Sequence, residues 1–170
     1  KVKDSYFSFR VGSSVLLLGL SALFGQEGIG QPEAPARTLS KEQALKQLSE
    51  NDWILQWEGI RCLGELKAAD CIPTLQGILS GQGHPWLRGQ ALIAWAQIEG
   101  EKVFPTASTL AQDPAAPLRA AAVETLGIIG SPQGEDVVKK ALNDAEPTVR
   151  CQAIVALARI QKEKSWETVA

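Results

Sequence analysis

The sequence predicts an all-α fold, an α-solenoid of about four helical hairpins preceded by an apolar N-terminal helix and a linker. Two observations carry this expectation. The apolar-Arg pairs Leu87-Arg88, Leu118-Arg119 and Val149-Arg150 stand 31 residues apart, and a diverged copy, Leu55-Gln56, precedes the first of them by 32. After each pair, apolar and small residues recur at steps of four, four and three: Leu118, Ala122, Leu126 and Ile129 in one copy, Leu87, Ala91, Trp95 and Ile98 in another. That spacing lines one face of an α-helix. A fixed period in this range means stacked units, each burying its apolar face only against its neighbours. Chains of this kind work through extended surfaces, so a compact active site is not the default expectation.

The elements follow in order. Ser40-Lys41-Glu42-Gln43 has the form of a capping box opening a helix through Leu48. Its partner carries Leu55, Gly59, Leu63 and Leu66, completing a hairpin over 41–66. Pro73 sits where a first helical turn tolerates a missing N–H, and Ile72 to Leu79 form the first helix of a second hairpin over 72–98. Pro105 plays the same part in a third hairpin over 103–129, and Val137 to Leu142 open a fourth over 135–161. Gly, Pro and Asp supply the turns. Gly59, Ala91, Ala122 and Ala153 stand at equivalent positions, where a helix must approach a neighbour closely.

The chain has 170 residues, 45% hydrophobic and 21% charged, which suits one folded domain with an appendage. Its formal net charge is −2, and no basic stripe tracks a phosphate backbone, so nucleic acid is excluded as the expected partner. Cys62, Cys71 and Cys151 lack metal-ligand spacing, and His84 is the single histidine. Cys62 reads as core packing. Cys71 either stays reduced or pairs with Cys62 in an oxidising compartment, and Cys151 points outward.

Val11–Gln26 is an uncharged, mostly apolar run preceded by Lys1, Lys3 and Arg10, the layout of a bacterial export signal. Its 16 residues span about 24 Å as a helix, short of the ~30 Å hydrocarbon core. Three readings stay open: a cleavable signal, a retained anchor, or a buried soluble helix. The first two put the repeats outside the cytoplasm, on the periplasmic or lumenal side, with the membrane as a partner through residues 11–26. Residues 26–39 are rich in Gly, Pro and Ala and read as a tether. The expected organisation is therefore a signal or anchor over 1–25, a linker over 26–39, repeats over 40–161 and a C-terminal tail over 162–170.

The repeat pattern resembles the HEAT-repeat family, especially its short bacterial units of the phycobilin-lyase type. The matching residues are Asp113 with Arg119 and Asp144 with Arg150, each Asp six positions before its Arg, the V/L-R-x-x-A-x-x-x-L-G/A-x-I stretches, and the first-helix prolines Pro73 and Pro105. The first copy departs from the pattern, with Gln56 for Arg and Glu50 for Asp, as suits a terminal repeat. The resemblance implies that Arg88, Asp113, Arg119, Asp144 and Arg150 form a structural ladder tying turn to helix and repeat to repeat. It also implies that the Arg-bearing helices line a concave face.

Catalytic constellations are missing. No haem-attachment motif, phosphate-cradling Gly loop or nucleophile elbow is present. His84 stands in a Gly-His-Pro turn and reads as a turn residue. The expectation is a chain that is not an enzyme and needs no cofactor or metal. On the Arg-bearing helices the face beside the buried line carries Trp57, Glu58, Arg61, Gln90, Ile93, Gln97, Glu124, Ile128 and Arg159, with Glu65, Ala121, Gln152 and Val155. Its apolar members make it the candidate partner-binding surface, unless they pack sideways against the next repeat. Trp53, Trp86 and Trp95 are expected in core or inter-repeat packing. The leading functional expectation is a non-catalytic protein-binding scaffold, exported or membrane-tethered. Its alternatives are an accessory or assembly subunit of a membrane complex, and a chromophore-lyase-like or phycobiliprotein-associated factor.

Overall fold

A computed structural model describes residues 39–167, with side chains through Lys162. The expected N-terminal signal or anchor and almost all of the linker lie outside the described residues. Among those described there are eight α-helices and no strand: α1 (Lys41–Leu48), α2 (Trp53–Glu65), α3 (Ile72–Ser80), α4 (Pro85–Glu99), α5 (Phe104–Leu110), α6 (Ala116–Ile129), α7 (Glu135–Ala141) and α8 (Pro147–Glu167). They pair as the hairpins α1-α2, α3-α4, α5-α6 and α7-α8. Short 3₁₀ turns over Ala69–Cys71, Gly100–Val103 and Pro132–Gly134 join one hairpin to the next. The described residues thus form an α-solenoid of four hairpins. The boundary expected at residue 161 is not a helix end, because α8 continues to Glu167.

Local chemistry explains the starts and stops. Ser40 Oγ accepts from Gln43 N at 3.3 Å while Gln43 Oε1 accepts from Ser40 N at 2.9 Å, a complete capping box. Asp52 caps α2 by accepting from Ile54 N at 2.8 Å. Proline occupies the first turn of α3, α4, α5 and α6. Gly130 ends α6 in the left-handed region at φ 70°, which a residue with a Cβ resists.

The second helices form a continuous layer, α2 on α4, α4 on α6 and α6 on α8, while each first helix packs chiefly on its own hairpin partner. Small residues set this layer's spacing. A Cβ added at Gly64 would lie 2.7 Å from Ala94 Cα, one at Gly89 2.8 Å from Ala121 Cβ, and one at Gly127 2.7 Å from Ala156 Cα. Gly59 serves a different contact, since its added Cβ would meet Ala44 O of α1 at 2.7 Å. One small-residue line therefore seats the first helix, and a second line seats the next repeat. The buried apolar residues form two clusters, one around Leu63, Leu75, Leu92 and Leu118 and the other around Val123, Leu126, Val138 and Ile160.

Candidate binding face

The layer α2-α4-α6-α8 presents one aligned strip. By register its central row is Arg61, Ile93, Glu124 and Val155, flanked by Glu65, Gln97, Ile128 and Arg159. Arg61, Ile93, Gln97, Glu124 and Ile128 are half-buried, and Glu65, Val155 and Arg159 are exposed. Arg61 donates to Glu65 one turn on. Burial pushes the Glu124 carboxyl above the ordinary carboxylate range, and the positive charge of Arg159 draws it part of the way back. Gln97 Oε1 is buried without a hydrogen-bond partner, close to where a Cβ on Gly64 would stand.

Two expected members of this surface, Gln90 and Ala121, are buried within the helix layer. Gln90 is only 8% exposed, enclosed in the helix layer, so it is not available to a partner. Its neighbour in register, Ala121, is likewise buried, against Gly89. Trp57 is half-buried against the core, and Glu58 is half-buried one residue on. The cause is helix spacing: the small residues let α4 and α6 close over positions that would be open between more distant helices.

The tryptophans divide otherwise than expected. Trp95 does pack on the core, and its Nε1 donates to Glu99 Oε2 at 2.7 Å. Trp53 and Trp86 are each 44% exposed, so they are not core. With Ile54 they lie in the first turns of α2 and α4, and Trp53 stacks on His84 at 5.6 Å between ring centroids. His84 is the N-cap of α4, its Nδ1 accepting from Trp86 N at 3.4 Å. Beside this edge a hollow of about 240 Å³ opens between the first two hairpins, lined by Leu48, Gln56, Ile60, Ile78 and Leu87 among others. Periodicity alone could not separate these aromatics from core, since they fall in first turns, where a helix end leaves one side uncovered.

The ladder residues make two kinds of contact. Arg119 Nη1 donates to Asp113 O at 3.0 Å and Pro114 O at 3.1 Å, tying its helix to its own turn. Its Nε and Nη2 both reach the Asp144 carboxylate of the next hairpin at 2.8 Å, a bidentate pair. That pair holds the Asp144 carboxyl below its ordinary range. Asp144 Oδ1 also accepts from Glu146 N at 2.9 Å, and Asp113 Oδ1 from Ala115 N at 2.8 Å. Arg150 Nη1 donates to Asp144 O and Ala145 O, each at 2.8 Å. Arg88 differs: its Nε donates to Leu79 O at 2.8 Å, at the end of α3, and it is not brought to Asp113. In the first copy Gln56 Nε2 donates to Glu50 O at 2.7 Å, an amide standing in for the missing guanidinium.

Cys62 and Cys71 are buried free thiols that do not pair, and Cys151 is exposed. Cys62 Sγ lies 3.2 Å from Leu39 O, and burial raises both buried thiols above their ordinary range. Among the described residues no cluster of His, Cys, Asp and Glu side chains is placed to hold a metal ion, and no helix is long and apolar enough to cross a membrane.

No curated protein sequence matches the chain. Among solved structures it is similar to the complex of CpcE and CpcF of phycocyanin lyase from Nostoc sp. PCC7120, at 16% identity over 85% of this chain and 73% of that one, with a TM-score of 0.49. The family profile described as HEAT repeats matches residues 42–126 and again 105–169. With four hairpins in one register and most of its length matched, the chain belongs to the HEAT-repeat family.

Proposed function

We propose that the chain is a non-catalytic protein-binding scaffold whose partner lies along the strip formed by α2, α4, α6 and α8. The observation that carries this reading is that Ile93 and Val155 of the central row and Ile128 of the flanking row stand among the charged or polar side chains Arg61, Gln97, Glu124 and Arg159. An apolar centre with a polar surround is what a protein–protein patch uses. The exposed pair Trp53 and Trp86 extends the apolar surface at the first two repeats. The single histidine is engaged as a helix cap and ring partner, which leaves no candidate general base of its type.

The test is a tagged chain carrying Ile93→Asp and Ile128→Asp together. Partner retention is expected to be lost while the melting temperature stays close to that of the unchanged chain. Unfolding of the double variant would return both residues to inter-repeat packing, and retained binding by a folded variant would move the site off the strip. Export or tethering of the repeats by residues 1–26 is part of the same proposal, supported by the cationic start and apolar run of that segment. The mass of the native N-terminus and its partition into detergent check it; a chain wholly in the aqueous phase with residues 1–26 intact would remove it.

A further inference from the structure

The junction between the first and second hairpins and that between the third and fourth are pinned alike at one end and held differently at the other. Near the C-terminal end of α2 a Cβ on Gly64 would lie 2.7 Å from Ala94 Cα, and near that of α6 one on Gly127 would lie 2.7 Å from Ala156 Cα. At the pinned end of the first junction Lys41 Nζ also pairs with Asp70 at 2.8 Å, tying α1 to the turn that leads into α3. The opposite end is a mouth, where the turns before α2, α4, α6 and α8 stand side by side. The mouth between the third and fourth hairpins is tied by the bidentate pair of Arg119 and Asp144. The mouth between the second and third is closed by Gly89, whose added Cβ would lie 2.8 Å from Ala121 Cβ.

The mouth between the first two hairpins has neither device. In register Gln56 stands for Arg119 and Gln82 for Asp144. Gln56 Nε2 turns back to Glu50 O of its own turn, and Gln82 is exposed. Trp57 occupies the register of Gly89 and Ala120, a bulky side chain where the next two helices carry glycine and alanine. The hollow of about 240 Å³ lies in this mouth, with Gly81 and Gly83 of the second turn on its wall. What crosses instead is the stack of Trp53 on His84, ring centroids 5.6 Å apart and planes inclined by 20°. It is an uncharged contact at ordinary aromatic range, and both of its rings border solvent.

We propose that the first hairpin is a hinged flap, pivoting where Gly64 meets Ala94 and held shut at its mouth by the Trp53–His84 clasp. The 13 residues of α2 give a lever of about 18 Å, so a tilt of about 10° at the pinned end moves the mouth by about 3 Å. A close contact that stays fixed while the far end swings is hinge motion, and the end with the sparser packing is the one that opens. Opening widens the hollow and uncovers its floor of Leu48, Ile60, Ile78 and Leu87. It also draws Trp53 and Ile54 away from Trp86, so the clasp sets the width of the exposed apolar edge. The flap depends on contacts among the first four helices and not on the Ile93–Ile128 strip, so each proposal can fail alone.

Paired spin labels on the full chain test it, in a Cys151→Ser background that leaves only the buried Cys62 and Cys71 as native thiols. Asn51→Cys with Gly83→Cys reads the first mouth, and Pro114→Cys with Ala145→Cys reads the mouth between the third and fourth hairpins; all four positions are exposed and in register. The interspin distance distribution is expected to be broader across the first mouth. Trp53→Ala and His84→Ser, the second of which keeps an oxygen to cap α4, are each expected to shift that distribution to longer distance. Gln56→Arg with Gln82→Asp installs the missing ion pair and is expected to narrow it to the width seen between the third and fourth hairpins. Equal widths at the two mouths of the otherwise unchanged chain, or a first mouth indifferent to both clasp variants, overturns the flap. A first mouth that stays broad with the ion pair installed overturns the missing tie as the reason that it opens.

Discussion

Asp144 and Arg119 form the bidentate ion pair between the third and fourth hairpins. Asp144 takes a bidentate guanidinium from the preceding repeat and the Glu146 N–H of its own turn, so its removal leaves three N–H donors short of a partner. Asp144→Ala and Arg119→Ala are each expected to destabilise the fold by about 1–3 kcal/mol in urea titration, since the pair is largely shielded from water. Equal midpoints for variant and parent would mean that the pair is only a solvated contact. The pH dependence has a definite sign. The Asp144 carboxyl is held low in the fold, so its contribution is full above the ordinary carboxylate pKa and is lost as pH falls through the lower folded value. Glu124 runs the other way. Burial raises its folded pKa, the folded state holds the proton more tightly, and stability declines as pH rises from the ordinary value through the raised one. Glu124→Gln is therefore expected to raise the melting temperature at pH 7 and to have little effect near pH 4. A gain of the same size at both pH values would show that desolvation of the charge is not the cause.

At the scale of the element, glycine position decides how closely two helices approach. Gly127 of α6 lies where a Cβ would be 2.7 Å from both Cα and Cβ of Ala156 in α8. Gly77 of α3 faces open space. Gly127→Ala gains helix propensity but forces the helices apart, a net loss expected at about 1–2 kcal/mol. Gly77→Ala is expected to stabilise by about 0.5–1 kcal/mol from propensity alone. Thermal unfolding of the two variants side by side checks the assignment, and stabilisation by both would mean that α6 and α8 are not in close contact. The same comparison applies to Val123 of α6 and Ile154 of α8, which share a register. Val123→Ala removes a fully buried side chain and Ile154→Ala one that is 62% exposed, so only the former is expected to cost more than about 0.5 kcal/mol.

Among the described residues the principal helix contacts run within a hairpin or between adjacent hairpins, so this part of the fold is built by repetition of one local interface. Far-ultraviolet circular dichroism is expected to be dominated by helix, and substantial strand content would contradict the architecture. Stability in such a stack is close to a sum over repeats and their junctions. Weakening the Arg119–Asp144 junction is therefore expected to broaden the urea transition as well as shift it, because the last hairpin then separates from the other three. A sharp, parallel shift with an unchanged slope would instead describe one cooperative unit.

The periodic spacing of Leu87-Arg88, Leu118-Arg119 and Val149-Arg150 was sufficient to read four helical hairpins with boundaries close to those observed. It sufficed because in a repeat the same local pattern is stated several times, so propensity, capping and apolar period agree at every copy. The capping box at Ser40 and the first-turn prolines were legible for the same reason: their chemistry is local to four residues or fewer. What depended on the distance between helices was not legible. Gln90 looks like a surface residue by helical phase, yet the close packing that Gly89 and Ala121 allow encloses it. Trp53 and Trp86 look like core by composition, yet they stand where two helix ends leave them uncovered. Asp113 and Asp144 occupy the same place in the motif, and only Asp144 receives an arginine, because Arg88 is taken by the carbonyl of Leu79. Phase along one helix is a property of the chain, whereas burial and ion pairing depend on how near the neighbouring helix comes, and that distance exists only once the repeats are stacked.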